Sequence, residues 1–240
     1  MKMIEVENYQ QMSEKAAEYI IDKVTNVPSM KLGLATGGTP VGTYKHLIED
    51  YQKNGTSYRN VTTFNLDEYI GLSGENKNSY RYYMNDMFFN HIDINKGKTH
   101  IPQGDVSDIQ KECLRYEELI AENGGIDLQI LGIGGNGHIG FNEPGTSFHS
   151  KTHIVDLAPS TIEANARFFN QLEEVPTKAI TMGISTIMKS KEILLLVSGE
   201  SKKEALDKLI NGPVDESFPA SILKNHPRVT IIADKAAVAN

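Results

Sequence analysis

Apolar runs of strand length alternate with helix-period patterns from about residue 14 onward. The runs at 31–36 (KLGLAT), 61–66 (VTTFNL), 126–133 (IDLQILGI), 153–157 (HIVDL), 178–184 (KAITMGI), 192–198 (EILLLVS) and 228–234 (RVTIIAD) predict strands. Between them, 14–26, 41–54, 79–92, 108–124, 160–169 and 201–210 place apolar residues at helical spacing. Several strands are apolar on both faces, as a parallel sheet covered by helices on both sides requires. The expected fold is a doubly wound, mostly parallel, Rossmann-like α/β domain over residues 1–240, whose ligands gather at the carboxyl ends of the strands. The pattern breaks at 136–152, a stretch rich in Gly, Asn, Pro and Ser where a functional loop is expected.

Composition narrows the classes. The 240 residues are 39% hydrophobic and 23% charged, enough for one sizeable core and ordinary for a globular domain. A net charge of −7 disfavours a nucleic-acid groove or an anionic membrane surface. An anionic small molecule needs local donors to overcome that field. A single cysteine, Cys113, excludes an internal disulfide; it shares a helical face with Ile109, Tyr116 and Ile120 and reads as core. The N-terminal stretch lacks the apolar centre of a signal peptide and no run reaches a membrane span, so a cytoplasmic protein is expected.

The chemistry concentrates in three places. "GIGGNGHIGFNEP" (132–144) begins as G-x-G-x-x-G after a strand, the fingerprint of a dinucleotide loop, with Asp156 as a conceivable ribose partner. That reading needs a helix immediately afterwards to receive the pyrophosphate. "HIGFNEPGTS" follows instead, with glycines and a proline costing about 1 and 3 kcal/mol in a helix interior. The nicotinamide reading fails there. What remains is a polar cluster, Asn136, His138, Asn142 and Glu143, flanked by glycines at a strand end, and it is expected to be catalytic.

"GLATGGTPVGTY" (33–44) has the order strand, turn, helix. Thr39 as N-cap and Pro40 in the first turn would leave the amides of Gly37, Gly38 and Thr39 free, with the hydroxyls of Thr36 and Thr39 beside them, as an anion cradle. It is not a Walker loop. Lys202 and Arg167 are the cations expected to complete it. In "TTFNLDEYIGL" (62–72), Asp67 and Glu68 close a strand; they lack the companions of a metal site, which leaves a capping aspartate or a general base.

"LATGGTP", "FNLDEY", "GIGGNGHIGFNEP" and "ANARFF", in this order and over about residues 2–235, resemble the glucosamine-6-phosphate deaminase family. The resemblance implies a cofactor-free, metal-free reaction in which glucosamine 6-phosphate and water give fructose 6-phosphate and ammonia. It implies that His138, supported by Glu143 and Asn136, opens the sugar ring, and that Asp67 moves the C2 proton. It also implies that Thr36, Gly37, Gly38, Thr39, Arg167 and Lys202 hold the phosphate, with a mobile lid around 155–180. A 6-phosphogluconolactonase-type hydrolase would carry DER and GxDGHxASLFPG instead. A sugar-phosphate-sensing module would need a DNA-binding helix pair, for which there is no room.

Three departures from the family carry expectations. Many larger members have Asp where this chain has Asn136, so Asn136 should orient the imidazole rather than relay charge. The basic residues that follow "FNEP" in allosteric hexamers and their longer C-terminal segment are missing here. A monomer or small homo-oligomer with hyperbolic kinetics is expected. Finally, Arg167 on the lid should help bind phosphate as the lid closes.

Overall fold

The computed structural model describes residues 1–159, 162–163, 171 and 174–238. In chain order its elements are β1 (Lys2–Val6), α1 (Tyr9–Asn26), β2 (Lys31–Leu34), α2 (Val41–Asn54), β3 (Thr62–Asn65), β4 (Asp67–Tyr69), α3 (Tyr80–Met87), β5 (Thr99–His100), α4 (Ile109–Glu122), β6 (Leu128–Leu131), β7 (His153–Asp156), β8 (Lys178–Thr181), β9 (Glu192–Val197) and β10 (Val229–Asp234). A helix at Lys203–Asn211 follows β9.

Seven strands form one parallel sheet in the order β1-β10-β9-β6-β2-β3-β5. Alternate side chains of each inner strand feed opposite cores. In β9, Leu194 and Leu196 pack under α1 and α2, while Ile193, Leu195 and Val197 pack under α4 and the Lys203–Asn211 helix. Two-sided burial explains why these strands read as nearly continuous apolar runs. The winding direction reverses between β2 and β6, the crevice where such folds bind ligands.

β7 and β8, legible as strands, do not join this sheet. They form an antiparallel sheet in the order β4-β8-β7, with Asp67 opposite Thr181. A single residue joins the two sheets. Leu66 donates its N–H to Leu34 O at 3.2 Å in the large sheet, and its carbonyl accepts from Met182 N at 2.6 Å beside the small one.

Several boundaries differ from the pattern for local reasons. α1 starts at Tyr9 rather than 14 because Asn8 caps it, its side chain accepting from Gln11 N at 3.0 Å. α3 ends at Met87 and the chain continues as a 3-10 turn at Phe89–His91. β1 is an edge strand, largely exposed, and β5 has two residues; neither presents an apolar run. Thr39 is not the N-cap of α2. Pro40 occupies that position with φ −82° and ψ −5°, and no side chain caps the helix. Of the predicted helix at 160–169 only Ile162 and Glu163 are described, and both are helical, Ile162 N donating to Ala158 O at 3.0 Å. Among the described residues no helix is long and apolar enough to cross a membrane.

Candidate active site

The carboxyl ends of β2, β3 and β6 surround a cleft of about 240 Å³. At one end the loop Thr36–Thr39 bends through Gly37, whose φ of +87° favours glycine. The amides of Gly37, Gly38 and Thr39 meet no protein acceptor among the described residues, and the 14-residue helix α2 starts just behind them. Lys202 also lines the cleft. It ends a 3-10 turn and directly precedes the Lys203–Asn211 helix, where a cation opposes the helix dipole. A bound anion would relieve that opposition. The structure thus brings Thr36, Gly37, Gly38, Thr39 and Lys202 together in one cleft.

Asp67 lines the same cleft and is 6% exposed. Burial, reinforced by the neighbouring Glu68, pushes its carboxyl from 3.8 up to about 8. Space for a ligand beside it comes from Gly140, where a Cβ would lie 3.1 Å from Thr181 Oγ1 and 3.7 Å from Asp67 Oδ2.

His138 lines the same cleft. Its ring rests on Gly134, where any Cβ would fall 2.3 Å from the imidazole. Nδ1 lies 2.9 Å from Asn136 Oδ1 and 3.4 Å from Glu143 Oε1, while Asn136 Nδ2 donates to Glu143 Oε2 at 2.6 Å. Contact with His138, and then with Asn136, holds the Glu143 carboxyl below its ordinary range. With Nδ1 donating to Asn136, the ring lone pair resides on Nε2, which fixes the tautomer without a second charge.

Asn142 leaves the catalytic cluster. It is fully buried and its Nδ2 donates to Ile139 O and Met182 O at 2.8 and 2.9 Å, so it pins the loop from beneath. Asp156 is exposed, paired with Lys178 at 2.7 Å, and does not line the cleft. No helix follows the 132–137 loop, as the composition demanded. The cap expected of Asp67 falls on Glu68: its carboxylate accepts from Tyr69, Tyr80 and Arg81 amides, each at 2.9 Å, closing the N-terminus of α3. Burial pushes Glu68 up to about 7 against those bonds. Arg167 and the stretches 160–161, 164–170 and 172–173 of the expected lid lie outside the described residues; the lid's ends at 155 and 180 fall within β7 and β8.

Sequence reasoning missed Tyr80. It lines the cleft, its hydroxyl lies 3.0 Å from that of Tyr69, and its ring stacks on Phe141 at 6.3 Å and 12°. Its signal was only an aromatic in an amphipathic helix. Among the described residues no group of three or more His, Cys, Asp and Glu could hold a metal ion. Unpaired loop amides beside a lysine, a buried carboxyl of raised pKa and an oriented imidazole are groups that can move protons on a small anionic molecule.

Comparisons with known proteins bear on which molecule. The family model described as glucosamine-6-phosphate isomerases/6-phosphogluconolactonase matches residues 7–232. A glucosamine-6-phosphate deaminase of Geobacillus sp. (strain WCH70) is 60% identical over 238 residues, covering 99% of this chain and 95% of that protein. A solved structure described as a monomeric glucosamine-6-phosphate deaminase superposes with TM-score 0.95 at 53% identity, covering 99% of this chain and 98% of that one. The 6-phosphogluconolactonase of Thermotoga maritima shares the fold, with TM-score 0.76 at 20% identity over 98% and 99% of the two chains.

Proposed function

Since the chain belongs to the family of glucosamine-6-phosphate isomerases and 6-phosphogluconolactonases, we propose that it converts glucosamine 6-phosphate and water into fructose 6-phosphate and ammonia. The lactonase alternative has fold-level likeness behind it, whereas the deaminases match at 53–60% identity along the whole chain. The single observation that carries the reading is a buried, high-pKa carboxylate, Asp67, sharing one cleft with an anion cradle and His138.

Each group has a task in that reaction. The phosphate sits against the Gly37–Thr39 amides with Lys202, and Arg167 supplies the planar cation from the segment between β7 and β8. His138 Nε2 takes the proton from the anomeric hydroxyl and returns it to the ring oxygen; Asn136 keeps the imidazole in that tautomer, and Glu143 offsets the transient positive charge. Opening the ring makes C2–H acidic. Asp67, raised toward neutrality by burial, is a far stronger base than an exposed aspartate and carries this proton from C2 to C1. Loss of the C2 proton leaves a C1–C2 enolamine, its delivery to C1 gives the C2 imine, and water hydrolyses that imine with release of ammonia. Neither a metal nor a nicotinamide has a step to perform. The lid, confined to the segment between β7 and β8, closes over the phosphate and restricts water to the hydrolytic step. The protein acts as a cytoplasmic monomer; the structural relative is itself described as monomeric.

Ammonia release from glucosamine 6-phosphate tests the proposal. Turnover by the wild type, lost in Asp67→Asn and His138→Gln, supports it. Hydrolysis of 6-phosphogluconolactone without ammonia release from the amino sugar would overturn it.

A further inference from the structure

The cradle loop contains two adjacent glycines, and a Cβ at either would meet nothing within 4 Å. Such a loop is free to rotate its peptide planes. Rotation matters, because a flipped peptide presents its carbonyl oxygen, rather than its N–H, to a bound anion. Three phenols stand behind the loop and bear on this freedom. Tyr44 of α2 donates to Ala35 O at 2.5 Å, Tyr83 of α3 to Gly37 O at 2.6 Å, and Tyr9, the first residue of α1, to Gly38 O at 3.0 Å. None of the three lines the cleft, whereas every residue from Ala35 to Thr39 does.

In a trans peptide the C=O and N–H point in opposite directions. Drawing the carbonyls of Ala35, Gly37 and Gly38 backward therefore turns the amides of Thr36, Gly38 and Thr39 forward. We propose that Tyr9, Tyr44 and Tyr83 are positioning residues of the phosphate cradle, their hydroxyls holding the carbonyls of Gly38, Ala35 and Gly37 behind the loop so that the amides following them stay aimed at the anion. The inference rests on the reading of this cleft as a sugar-phosphate site.

Packing alone does not account for these hydroxyls. Tyr44 has a core role as well, since it is fully buried and stacks on Phe88 at 5.0 Å and 15°. Tyr9 has little such role: it is 38% exposed, yet its hydroxyl both donates to Gly38 O and accepts from Gly42 N at 2.9 Å. Gly42 makes that approach possible, because a Cβ there would lie 2.3 Å from Ser13 Oγ and 3.1 Å from the Tyr9 hydroxyl. Burial holds the phenols of Tyr44 and Tyr83 well above their ordinary range, so both remain donors at any working pH. The arrangement also links the two ends of the site. α3 carries Tyr83 against the cradle, while its first amides are held by Glu68, next to Asp67.

Tyr9→Phe, Tyr83→Phe and the double variant test the proposal, with Tyr51→Phe as a control remote from the loop. Each keeps the ring and removes one hydroxyl. Inorganic phosphate, titrated calorimetrically in the absence of substrate, reports on the cradle directly. Each single variant is expected to weaken phosphate by roughly three- to tenfold, the size of one hydrogen bond, and the double variant by more. KM for glucosamine 6-phosphate should rise by the same factors with kcat within about twofold, a split that general destabilisation would not give. If the double variant binds phosphate within twofold of wild type, or loses kcat at unchanged KM, the tyrosines do not position the cradle. Failure of the wild type itself to bind phosphate would sink the cradle reading and this inference together. Phosphate binding without deaminase activity would sink the proposed reaction and leave the tyrosines testable by calorimetry alone.

Discussion

Asp67→Asn should make the empty protein more stable as it destroys activity. The raised pKa of Asp67 is a folding statement as much as a catalytic one. Above about pH 4 the unfolded chain carries an ionised carboxylate here, while the folded chain holds the proton until about pH 8. Folding therefore takes up a proton across that window, and stability falls as pH rises from 4 to 8. A rise of roughly four pH units at about 1.4 kcal/mol each sets an upper limit near 6 kcal/mol on the cost of this buried acid. Asp67 stands at the wall of an open cleft, where water reaches the ionised form, so about half that figure is expected. Asparagine has nearly the same shape and never ionises. The variant should match wild type near pH 4.5 and exceed it by about 2–3 kcal/mol at pH 8, or roughly 5–10 °C in Tm for a chain of this length. Thermal unfolding of both ligand-free proteins from pH 4.5 to 8.5 measures the gap, and parallel ammonia assays should show turnover reduced by about 10³-fold or more. A gap that stays constant with pH, or one that favours wild type at pH 8, would refute the claim that Asp67 is strained by burial.

The same group sets the activity profile: kcat/KM should rise with pH through about 8 as Asp67 ionises, and Glu68→Gln, by removing like-charge repulsion, should move that limb to lower pH. An unmoved limb would separate the two carboxylates. Asn136→Asp should retain activity with its acid limb at higher pH, because the new carboxylate favours the imidazolium; it also faces Glu143 across the former 2.6 Å hydrogen bond, so the pair should share a proton. Complete inactivation would show that Asn136 does more than orient. Arg167→Ala should raise KM at least tenfold, as expected on losing a charged phosphate contact, and an unchanged KM would remove it from the site. Velocity should follow a hyperbola in substrate and ignore N-acetylglucosamine 6-phosphate, with a monomer by light scattering; sigmoidal curves relieved by that ligand would contradict both expectations.

Much of this architecture was legible because two-sided burial writes itself into sequence. β9, β10 and α2 follow their patterns almost to the residue. The loop chemistry was legible for a similar reason, since glycines and a proline after residue 137 rule out a helix. The pairing of β7 and β8 was not, because which sheet a strand joins depends on partners far along the chain. Asn142 looked like its neighbours at 136 and 143 until burial separated them. Glu68 took the capping role imagined for Asp67 because adjacent residues of a strand face opposite ways. The phenols behind the cradle left no mark at all: a tyrosine at 9, 44 or 83 fits any amphipathic helix, and its hydroxyl acquires meaning only from the carbonyl it reaches.

Leu66, bonded to one sheet through its nitrogen and to the other through its oxygen, works as a spacer with a fixed count of one. Parity follows from that count. Adding or removing a single residue there would exchange the directions of Asp67 and Glu68, turning the base out of the cleft and the cap into it, with every other side chain intact. Divergent descendants of this chain can therefore redraft many of their loops, but the tether between Asn65 and Asp67 admits no change of length.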